Sequence, residues 1–191
     1  MRIFIALDIP GEIRARITEF TERARGYAPG VRCARVEGLH ATLKFVGHVS
    51  DDKVEEMKTA LAAVQAAPFE VHFEDVGFFP TPTSPRVFWI GVHASDALPQ
   101  LAGTIDQAVA ALGIAREEKP YRPHLTLARA GSAPGANQEL KQLQIFLQKE
   151  ATAHFGTPHF GTMTAREFWM YQSQPQKGGS KYTKLQRFAL E

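Results

Sequence analysis

The stretch "LHATLKF" at residues 39–45 decides the fold, because "PHLTLAR" at residues 123–129 repeats its His-x-Thr-Leu core. Apolar and polar residues alternate in both copies, which predicts a β-strand for each. Two chance copies of His-x-Thr-Leu are expected in roughly one sequence in a thousand of this composition. The repeat therefore indicates two related structural units that carry the same short motif.

Side chains on a strand point alternately to its two faces, so each motif presents a histidine and a threonine together. His40 and Thr42 share the polar face of the first strand, and His124 and Thr126 share that of the second. The leucines fall on the opposite faces, which suits packing beneath helices. If the two units face each other, two imidazoles and two hydroxyls line one cleft.

The rest of the chain alternates segments of helical and strand periodicity. Strands are predicted at residues 2–8, 31–37, 39–47, 69–79, 87–93, 122–130, 159–174 and 181–190, and helices at 11–26, 50–67, 95–113 and 136–150. Residues 31–37 and 39–47 are expected to form a hairpin, and the prolines of residues 80–86 predict a loop without regular structure. This order predicts an α+β fold in a single bilobal domain over residues 1–191. Two pseudo-symmetric lobes of antiparallel sheet would carry helices on their outer faces, with the active site in the cleft between them.

Composition restricts the class of protein. With 191 residues and a net charge of +2, the chain is too weakly basic for a dedicated nucleic-acid binder. Its single cysteine, Cys33, excludes an intramolecular disulfide and favours a reducing compartment. Residues 1–10 do not fit a signal peptide, and no apolar run approaches the roughly 18 residues of a membrane span. We therefore expect a cytoplasmic protein without membrane association, and nothing in the sequence calls for an obligate protein partner.

Two histidines and two threonines in one cleft suit the cleavage of a phosphodiester without a metal ion. Imidazole has an unperturbed pKa of about 6.5, so one ring can accept a proton from water while the other donates one to the leaving oxygen. The hydroxyls of Thr42 and Thr126 can donate hydrogen bonds to the non-bridging phosphate oxygens. A zinc site would need three or four ligands, and the sequence has no His-x-His, no HExxH and no second cysteine. No metal and no cofactor is therefore predicted.

The paired motifs, "HATL" and "HLTL", resemble those of the two-histidine (2H) phosphoesterases. Within that superfamily the chain is most similar to the bacterial and archaeal RNA 2′,3′-cyclic phosphodiesterases, historically called 2′-5′ RNA ligases. The resemblance covers nearly the whole chain, through "RIFIALDIP", "LHATLKFVG", "PRVFWIGV", "RPHLTLAR" and "GGSKYTKLQRFAL". It implies a bilobal fold with a pseudo-two-fold axis. It also implies hydrolysis of a 2′,3′-cyclic phosphate on an RNA or oligonucleotide end to a 2′-phosphomonoester.

The resemblance further implies roles that the residues alone do not distinguish. His40 is assigned as the proton donor to the 3′-oxygen and His124 as the proton acceptor from water. Arg129 is implied to serve the phosphate, although alternation places it out of phase with His124, so it would have to lie past the end of the strand. From the residues themselves, Lys44 is in phase with His40 and is a candidate for added positive charge in the cleft. Phe4 is a candidate for stacking on a base.

Other residues are interpreted as structural. The five remaining histidines are expected to be structural or surface residues: His48, His72, His93, His154 and His159. The basic glycine segment 177–184 is interpreted as a flexible surface hairpin, with electrostatic steering of RNA as the alternative. Two other functions stay open: a non-catalytic module that binds phosphorylated RNA ends, and ligation of RNA to a 2′-5′ linkage through the same histidines.

Overall fold

Two four-stranded antiparallel sheets and four α-helices make up the described part of the computed structural model, which covers residues 1–31, 33–131, 135–150, 158–176 and 179–191. The strands are β1 (Arg2–Asp8), β2 (His40–His48), β3 (Phe69–Thr81), β4 (Ser84–Ala94), β5 (His124–Arg129), β6 (His159–Ala165), β7 (Glu167–Gln176) and β8 (Gly179–Ala189). The helices are α1 (Gly11–Tyr27), α2 (Asp51–Ala62), α3 (Ala97–Ala110) and α4 (Gln138–Glu150). These elements confirm the predicted α+β class.

The two sheets have matching strand orders, β2-β1-β7-β8 and β5-β4-β3-β6. In each sheet the strand that carries a His-x-Thr-Leu motif lies at one edge, next to the strand that precedes it in the chain. A helix joins the two strands in both cases, α1 between β1 and β2 and α3 between β4 and β5. The structure therefore confirms two similar lobes, with the motif strands in equivalent positions.

Each helix that joins a motif strand to its neighbour packs against the opposite sheet. α1 contacts β6, and Phe20 packs against Phe88 and Phe160 with ring centroids 6.3 and 5.2 Å apart. α3 contacts β2 of the first sheet, and α2 lies beside α3 and β8. α4 contacts β4. One continuous apolar core consequently contains residues from both sheets, among them Ile5 and Phe73.

The predicted hairpin of residues 31–37 with the first motif strand is wrong. β2 pairs with β1, and the residues before β2 cross to the other sheet. There Cys33 forms an isolated bridge with Ala128, and the Ala34 N–H donates to the Leu127 carbonyl at 2.6 Å. The segment has the local composition of a strand, but its partner is the open edge of β5, where unpaired backbone groups are available.

The loop predicted at residues 80–86 is largely strand. β3 and β4 continue through the prolines to a tight turn, and Pro80 lies opposite Pro85 in the pair. β6 pairs with β3 only through Phe69–Glu74, and β5 pairs with β4 only from Val87. The tip of this hairpin therefore has no outer neighbours, so the missing proline N–H groups break no ladder.

The single strand predicted over residues 159–174 divides at Arg166, and its two parts belong to different sheets. β6 completes the sheet of β3, β4 and β5, whereas β7 and β8 complete the sheet of β1 and β2. The lobes therefore do not correspond to the two halves of the sequence. Periodicity does not reveal this change of sheet, because both parts have the composition of strands.

Candidate active site

A β-bulge occupies the same position in both motif strands. On β2 the register with β1 shifts between Thr42 and Lys44, which makes Leu43 the extra residue. On β5 the register with β4 shifts after Thr126, which makes Leu127 the extra residue. An inserted residue reverses the alternation of faces beyond it, so the side chains that follow each bulge change sides.

Burial has the same order in both copies of the motif. Residues 40–45 and residues 124–129 are each, in order, half-buried, buried, half-buried, buried, buried and exposed. The histidine and the threonine thus open to one side, and the two residues at the bulge lie in the core. The sixth side chain returns to the side of the histidine; it is Phe45 in the first copy and Arg129 in the second.

Both histidines are oriented by the same hydrogen bond. Nδ1 of His40 lies 2.7 Å from the carbonyl oxygen of Gly38, and Nδ1 of His124 lies 2.7 Å from that of Arg122. A carbonyl oxygen can only accept, so each Nδ1 carries the hydrogen and donates it. In the neutral ring this leaves the lone pair on Nε2, the nitrogen that is available for proton transfer.

Aromatic side chains enclose the ring of His40. The ring centroids of Phe4, Tyr171 and Tyr182 lie 4.4, 6.0 and 4.9 Å from that of His40. Burial lowers the pKa of His40 to about 4, despite the favourable Gly38 carbonyl, because the charged ring loses its hydration. The free site therefore holds His40 neutral at pH 7.

His124 has a related but less enclosed environment. The Phe79 ring meets it edge-on with centroids 5.1 Å apart. Burial lowers the pKa of His124 below its ordinary value, and the nearby Arg129 guanidinium lowers it further. Both imidazoles of the site are thus neutral near neutral pH when no ligand is bound.

Arg129 lies on the same side of β5 as His124 and Thr126. The bulge at Leu127 restores its phase, so the expectation that it must lie past the strand end is wrong: Arg129 is the last residue of β5. One guanidinium nitrogen donates to Thr126 Oγ1 at 3.2 Å. Because a guanidinium has five N–H groups, others stay available for an anion.

Lys44 does not share the side of His40, so the prediction from simple alternation is wrong. The bulge at Leu43 turns Lys44 toward the core, where its side chain is 2% exposed. Its ammonium lies 2.7 Å from Asp106 Oδ1 on α3 and donates to the Ala115 carbonyl at 2.7 Å. This cation therefore joins β2 to the helix that packs on it, and the buried pair satisfies its charge.

Phe4 faces the side of His40, as expected, but it is not open to a ligand. Its side chain is 3% exposed, because its ring is stacked on Tyr171 at a centroid distance of 5.0 Å and lies against His40 and Tyr182. The prediction that Phe4 stacks on a base is therefore wrong. Phe4 instead packs against the ring of His40, with the two ring centroids 4.4 Å apart.

The two motifs border one cleft. Thr42 of the first motif and His124 of the second both line an open cavity of about 720 Å³ between β2, α3 and the segment before β5. Arg129, on the second lobe, is close enough to His40 to lower its pKa. The structure thus brings together His40, Thr42, His124, Thr126 and Arg129.

Several residues that shape this cleft were not predicted from the sequence. The Tyr121 hydroxyl, three residues before His124, donates to the Thr42 carbonyl at 3.1 Å and so connects the two motif strands. Segment 177–184, interpreted as a surface hairpin, contributes Tyr182 beside His40 from β8. Its residues 177 and 178 lie outside the described part. No local signal identifies these partners, because their proximity depends on how the sheets meet.

In the described part of the chain, the histidines outside the two motifs lie on strands and are half-buried or exposed. Three of them contact carboxylates on the second sheet, with nitrogen–oxygen distances of 2.9 to 3.5 Å: His72 with Glu70, His93 with Asp75, and His159 with Glu74. His48 is exposed at the end of β2. His154 lies outside the described residues.

The donor groups of the described residues form no cluster of three or more histidine, cysteine or carboxylate side chains arranged to hold a metal ion. In the same part of the chain, no helix combines the length and the apolar character that crossing a membrane requires.

Comparison with known proteins identifies the family. The chain matches the family model described as the 2′-5′ RNA ligase superfamily over residues 9–159. The RNA 2′,3′-cyclic phosphodiesterase of Archaeoglobus fulgidus is 33% identical over 188 residues, covering 98% of this chain and 99% of that protein. The Escherichia coli protein of the same name is 30% identical over 192 residues, covering 99% and 96%. The crystal structure of E. coli LigT complexed with 3′-AMP matches with a TM-score of 0.77 at 27% identity, covering 99% of this chain and 97% of that one. The chain therefore belongs to the 2′-5′ RNA ligase superfamily.

Proposed function

We propose that this protein hydrolyses 2′,3′-cyclic phosphate ends of RNA to 2′-phosphomonoesters, with His40 and His124 as acid and base. The observation that carries the proposal is the matched pair of motifs, which have the same bulge, the same burial and the same Nδ1–carbonyl hydrogen bond beside one cleft. Relatives that span nearly the whole chain are named RNA 2′,3′-cyclic phosphodiesterases, which supports the choice of substrate and reaction.

In the proposed reaction, a water molecule gives a proton to Nε2 of His124 while its oxygen attacks the phosphorus atom. The bond between phosphorus and O3′ breaks, and O3′ takes the proton from Nε2 of His40, so the phosphate stays on O2′. The Thr42 and Thr126 hydroxyls and the Arg129 guanidinium donate to the non-bridging oxygens as negative charge develops on them.

Proton donation requires a charged His40 ring, yet burial holds its pKa at about 4 in the free protein. A phosphodiester anion beside Nε2 opposes the burial effect, because a nearby negative charge favours the protonated ring. We therefore assign the charging of His40 to substrate binding. The donor is neutral in the empty cleft and becomes an acid when the anion arrives.

Product analysis tests the proposal. An RNA oligonucleotide with a 2′,3′-cyclic end is incubated with the protein in excess chelator, and the position of the remaining phosphate is determined. We expect a 2′-phosphate, and we expect His40→Ala and His124→Ala each to lower the rate by about 100- to 10,000-fold. His48→Ala, which changes an exposed histidine on the same strand, is the matched control. A 3′-phosphate product, or a wild-type rate in either motif variant, contradicts the proposal.

Ligation to a 2′-5′ linkage is the second candidate, favoured by the description of the family model. It is the reverse of cleaving that linkage through the cyclic phosphate, so the same two histidines serve both directions. Supplying a cyclic-ended RNA together with an RNA that has a free 5′-hydroxyl measures both products at once. Binding of the cyclic end without either product would instead support a non-catalytic module.

A further inference from the structure

An aromatic platform lies beside the second motif. Trp89 of β4 pairs with Thr126 of β5, so its side chain is on the face of the sheet that carries His124 and Thr126. On its other side Trp89 pairs with Gly77 of β3, where an added Cβ would lie 2.2 Å from an indole carbon. The indole thus covers the backbone at Gly77. The Phe79 ring, with its centroid 5.1 Å from that of the indole, completes the platform.

The platform borders a cleft of about 450 Å³ that reaches His124. This volume is within the usual range for small-molecule sites, and it greatly exceeds the roughly 30 Å³ that one water molecule occupies. Of the described residues that line this cleft, none belongs to the first motif. The larger cleft of about 720 Å³ differs, because Thr42 and His124 both line it. The protein therefore has space beside His124 that the attack of water does not require.

Arg122 gives the smaller cleft a positive charge. Its side chain is exposed in the lining, and its guanidinium carbon lies 6.0 Å from the centroid of the Phe79 ring. Within the described part of the chain, no carboxylate forms an ion pair with Arg122. The other basic ring of the lining, His93, lies 3.3 Å from a carboxylate oxygen of Asp75. An aromatic face beside an unpaired guanidinium can bind the base and the phosphate of a nucleotide.

The direction of the reaction places a ligand in this cleft. The attacking and leaving oxygens of a phosphoryl transfer lie roughly in line, on opposite sides of the phosphorus atom. In the proposed reaction His40 gives its proton to the leaving O3′, so the attacking oxygen lies on the side of His124. The nucleoside that carries the cyclic phosphate must reach both histidines, which assigns it to the larger cleft. A group attached to the attacking oxygen would extend away from His40, toward the smaller cleft.

We propose that the smaller cleft binds a second nucleoside, whose 5′-hydroxyl replaces water as the attacking group and whose base stacks on Trp89 and Phe79. The inference rests on the proposed function and extends it to a second substrate. The 5′-oxygen attacks the phosphorus atom and its proton passes to Nε2 of His124. The bond between phosphorus and O3′ breaks, and O3′ takes the proton from Nε2 of His40. The product is a 2′-5′ diester with a free 3′-hydroxyl, and the reverse steps cleave it.

The nucleotide on the 5′ side of the cyclic end is a less suitable occupant. It is attached through O5′ of the terminal ribose, on the far side of that ribose from the reacting phosphate. The second nucleoside is instead attached through the attacking oxygen itself, next to His124. A cleft that reaches His124 therefore lies nearer to the second nucleoside.

Partition between two nucleophiles tests the inference. Adenosine 2′,3′-cyclic phosphate is incubated with the acceptor adenylyl-(3′-5′)-adenosine, which has a free 5′-hydroxyl, and the 2′-5′-linked product is measured relative to the hydrolysed product. Both products arise from the same bound cyclic phosphate, so their ratio does not depend on how much of a variant is folded. Loss of one base stack should lower this ratio by about 5- to 150-fold in Trp89→Leu. Arg122→Gln, which keeps the carbonyl that orients His124, should lower it less, because the guanidinium is exposed.

The matched control is Trp169→Leu. Trp169 is the other tryptophan of the chain, but it lies on β7 of the first sheet and does not line the smaller cleft. The ratio of the two products in this variant should equal that of the wild type.

Binding of a ligand that cannot react separates this inference from the proposed function. The dinucleotide 3′-deoxyadenylyl-(2′-5′)-adenosine has no O3′ next to its phosphate, so it cannot form the cyclic phosphate. The methyl ester of 3′-deoxyadenosine 2′-phosphate has the same charge but lacks the second nucleoside. Calorimetry should show that the dinucleotide binds the wild type about 5- to 150-fold more tightly than the methyl ester, and that Trp89→Leu loses this gain.

The outcomes separate the two proposals. A product ratio or a binding gain that Trp89→Leu leaves unchanged overturns the second nucleoside site. So does a wild type that hydrolyses the cyclic phosphate but forms no 2′-5′ product at millimolar acceptor. If the wild type converts no cyclic phosphate, the proposed function fails, and the binding gain alone decides the site. If Trp89→Leu instead weakens binding of a ligand extended on the 5′ side of its ribose, the cleft holds the preceding nucleotide and the inference is wrong.

Discussion

Replacing Asp106 should destabilise the protein more than replacing its partner Lys44, although each change breaks the same ion pair. The Lys44 side chain is 2% exposed, and that of Asp106 is 10% exposed. In Asp106→Asn the ammonium keeps the Ala115 carbonyl at 2.7 Å and the carboxylate of Glu117 at 3.6 Å. The cation therefore stays buried with most of its compensating charge removed.

The expected loss of unfolding free energy depends on which charged group each variant leaves buried without a partner. Removing one partner of a buried pair costs about 3–5 kcal/mol, and the remaining Glu117 contact places Asp106→Asn near about 3 kcal/mol. In Lys44→Met, Asp106 is still held by Arg116 Nε at 3.0 Å and by the Glu117 N–H at 3.2 Å. The Asp106 carboxylate is therefore not left unpaired. The free energy of unfolding should fall by the contribution of one charge-assisted hydrogen bond, about 1.5 kcal/mol.

Urea unfolding of the wild type, both single variants and the double variant measures these free energies. We expect the double variant to be more stable than Asp106→Asn, because it no longer contains a buried unpaired cation. In thermal unfolding, Asp106→Asn should lower Tm by about 6–12 °C. Glu56→Gln, which breaks the exposed Lys53–Glu56 pair, is the control and should cost less than about 1 kcal/mol. A Lys44→Met variant that is less stable than Asp106→Asn, or a double variant that is no more stable than Asp106→Asn, would contradict the view that Lys44 is a buried cation whose charge Asp106 balances.

Two further predictions concern turnover. Because burial lowers the pKa of His124 and lowers that of His40 to about 4, kcat/KM, which reports the free protein, should have its optimum below pH 6.5 and fall about tenfold per pH unit above it. Rates at low substrate from pH 4.5 to 8.5 measure this, and an optimum at pH 7.5 or above contradicts the neutral empty site. Arg129→Ala should lower kcat/KM by about 10- to 150-fold through lost charge-assisted hydrogen bonds to the phosphate, with Arg129→Lys intermediate. Steady-state kinetics measures both variants. If kcat/KM of Arg129→Ala falls less than twofold, Arg129 does not bind the phosphate.

Simple alternation of side chains correctly predicted the faces of four motif residues, which all precede the bulges: His40, Thr42, His124 and Thr126. After the bulge on β2 the alternation is reversed, so the face predicted for Lys44 was wrong. A bulge is a property of the strand pair, since one strand has an additional residue relative to its neighbour. The sequence of a single strand therefore does not reveal it. The two copies have the bulge at the same leucine, and the same displacement that turns Lys44 inward restores Arg129 to the cleft.

Alternation along β1 correctly predicted the face on which Phe4 lies, but it did not predict that Phe4 is buried. Its ring is covered by Tyr171 of β7 and by Tyr182 of β8. Both partners are remote in sequence and reach Phe4 because β7 pairs with β1. Local periodicity predicts which face a side chain takes, whereas the neighbours on that face depend on strand order. The same reason explains why the segment 31–37 was assigned to the wrong strand partner.

The strand order β2-β1-β7-β8 also bears on when the cleft can form during synthesis. β1 and β2 leave the ribosome early, but the second neighbour of β1 is made only after β6. Until then β1 has an open edge that chaperones or other chains can pair with. His40 likewise lacks Tyr171 and Tyr182, the rings that hold its pKa down by burying it. The histidine that is translated first therefore acquires its surroundings last.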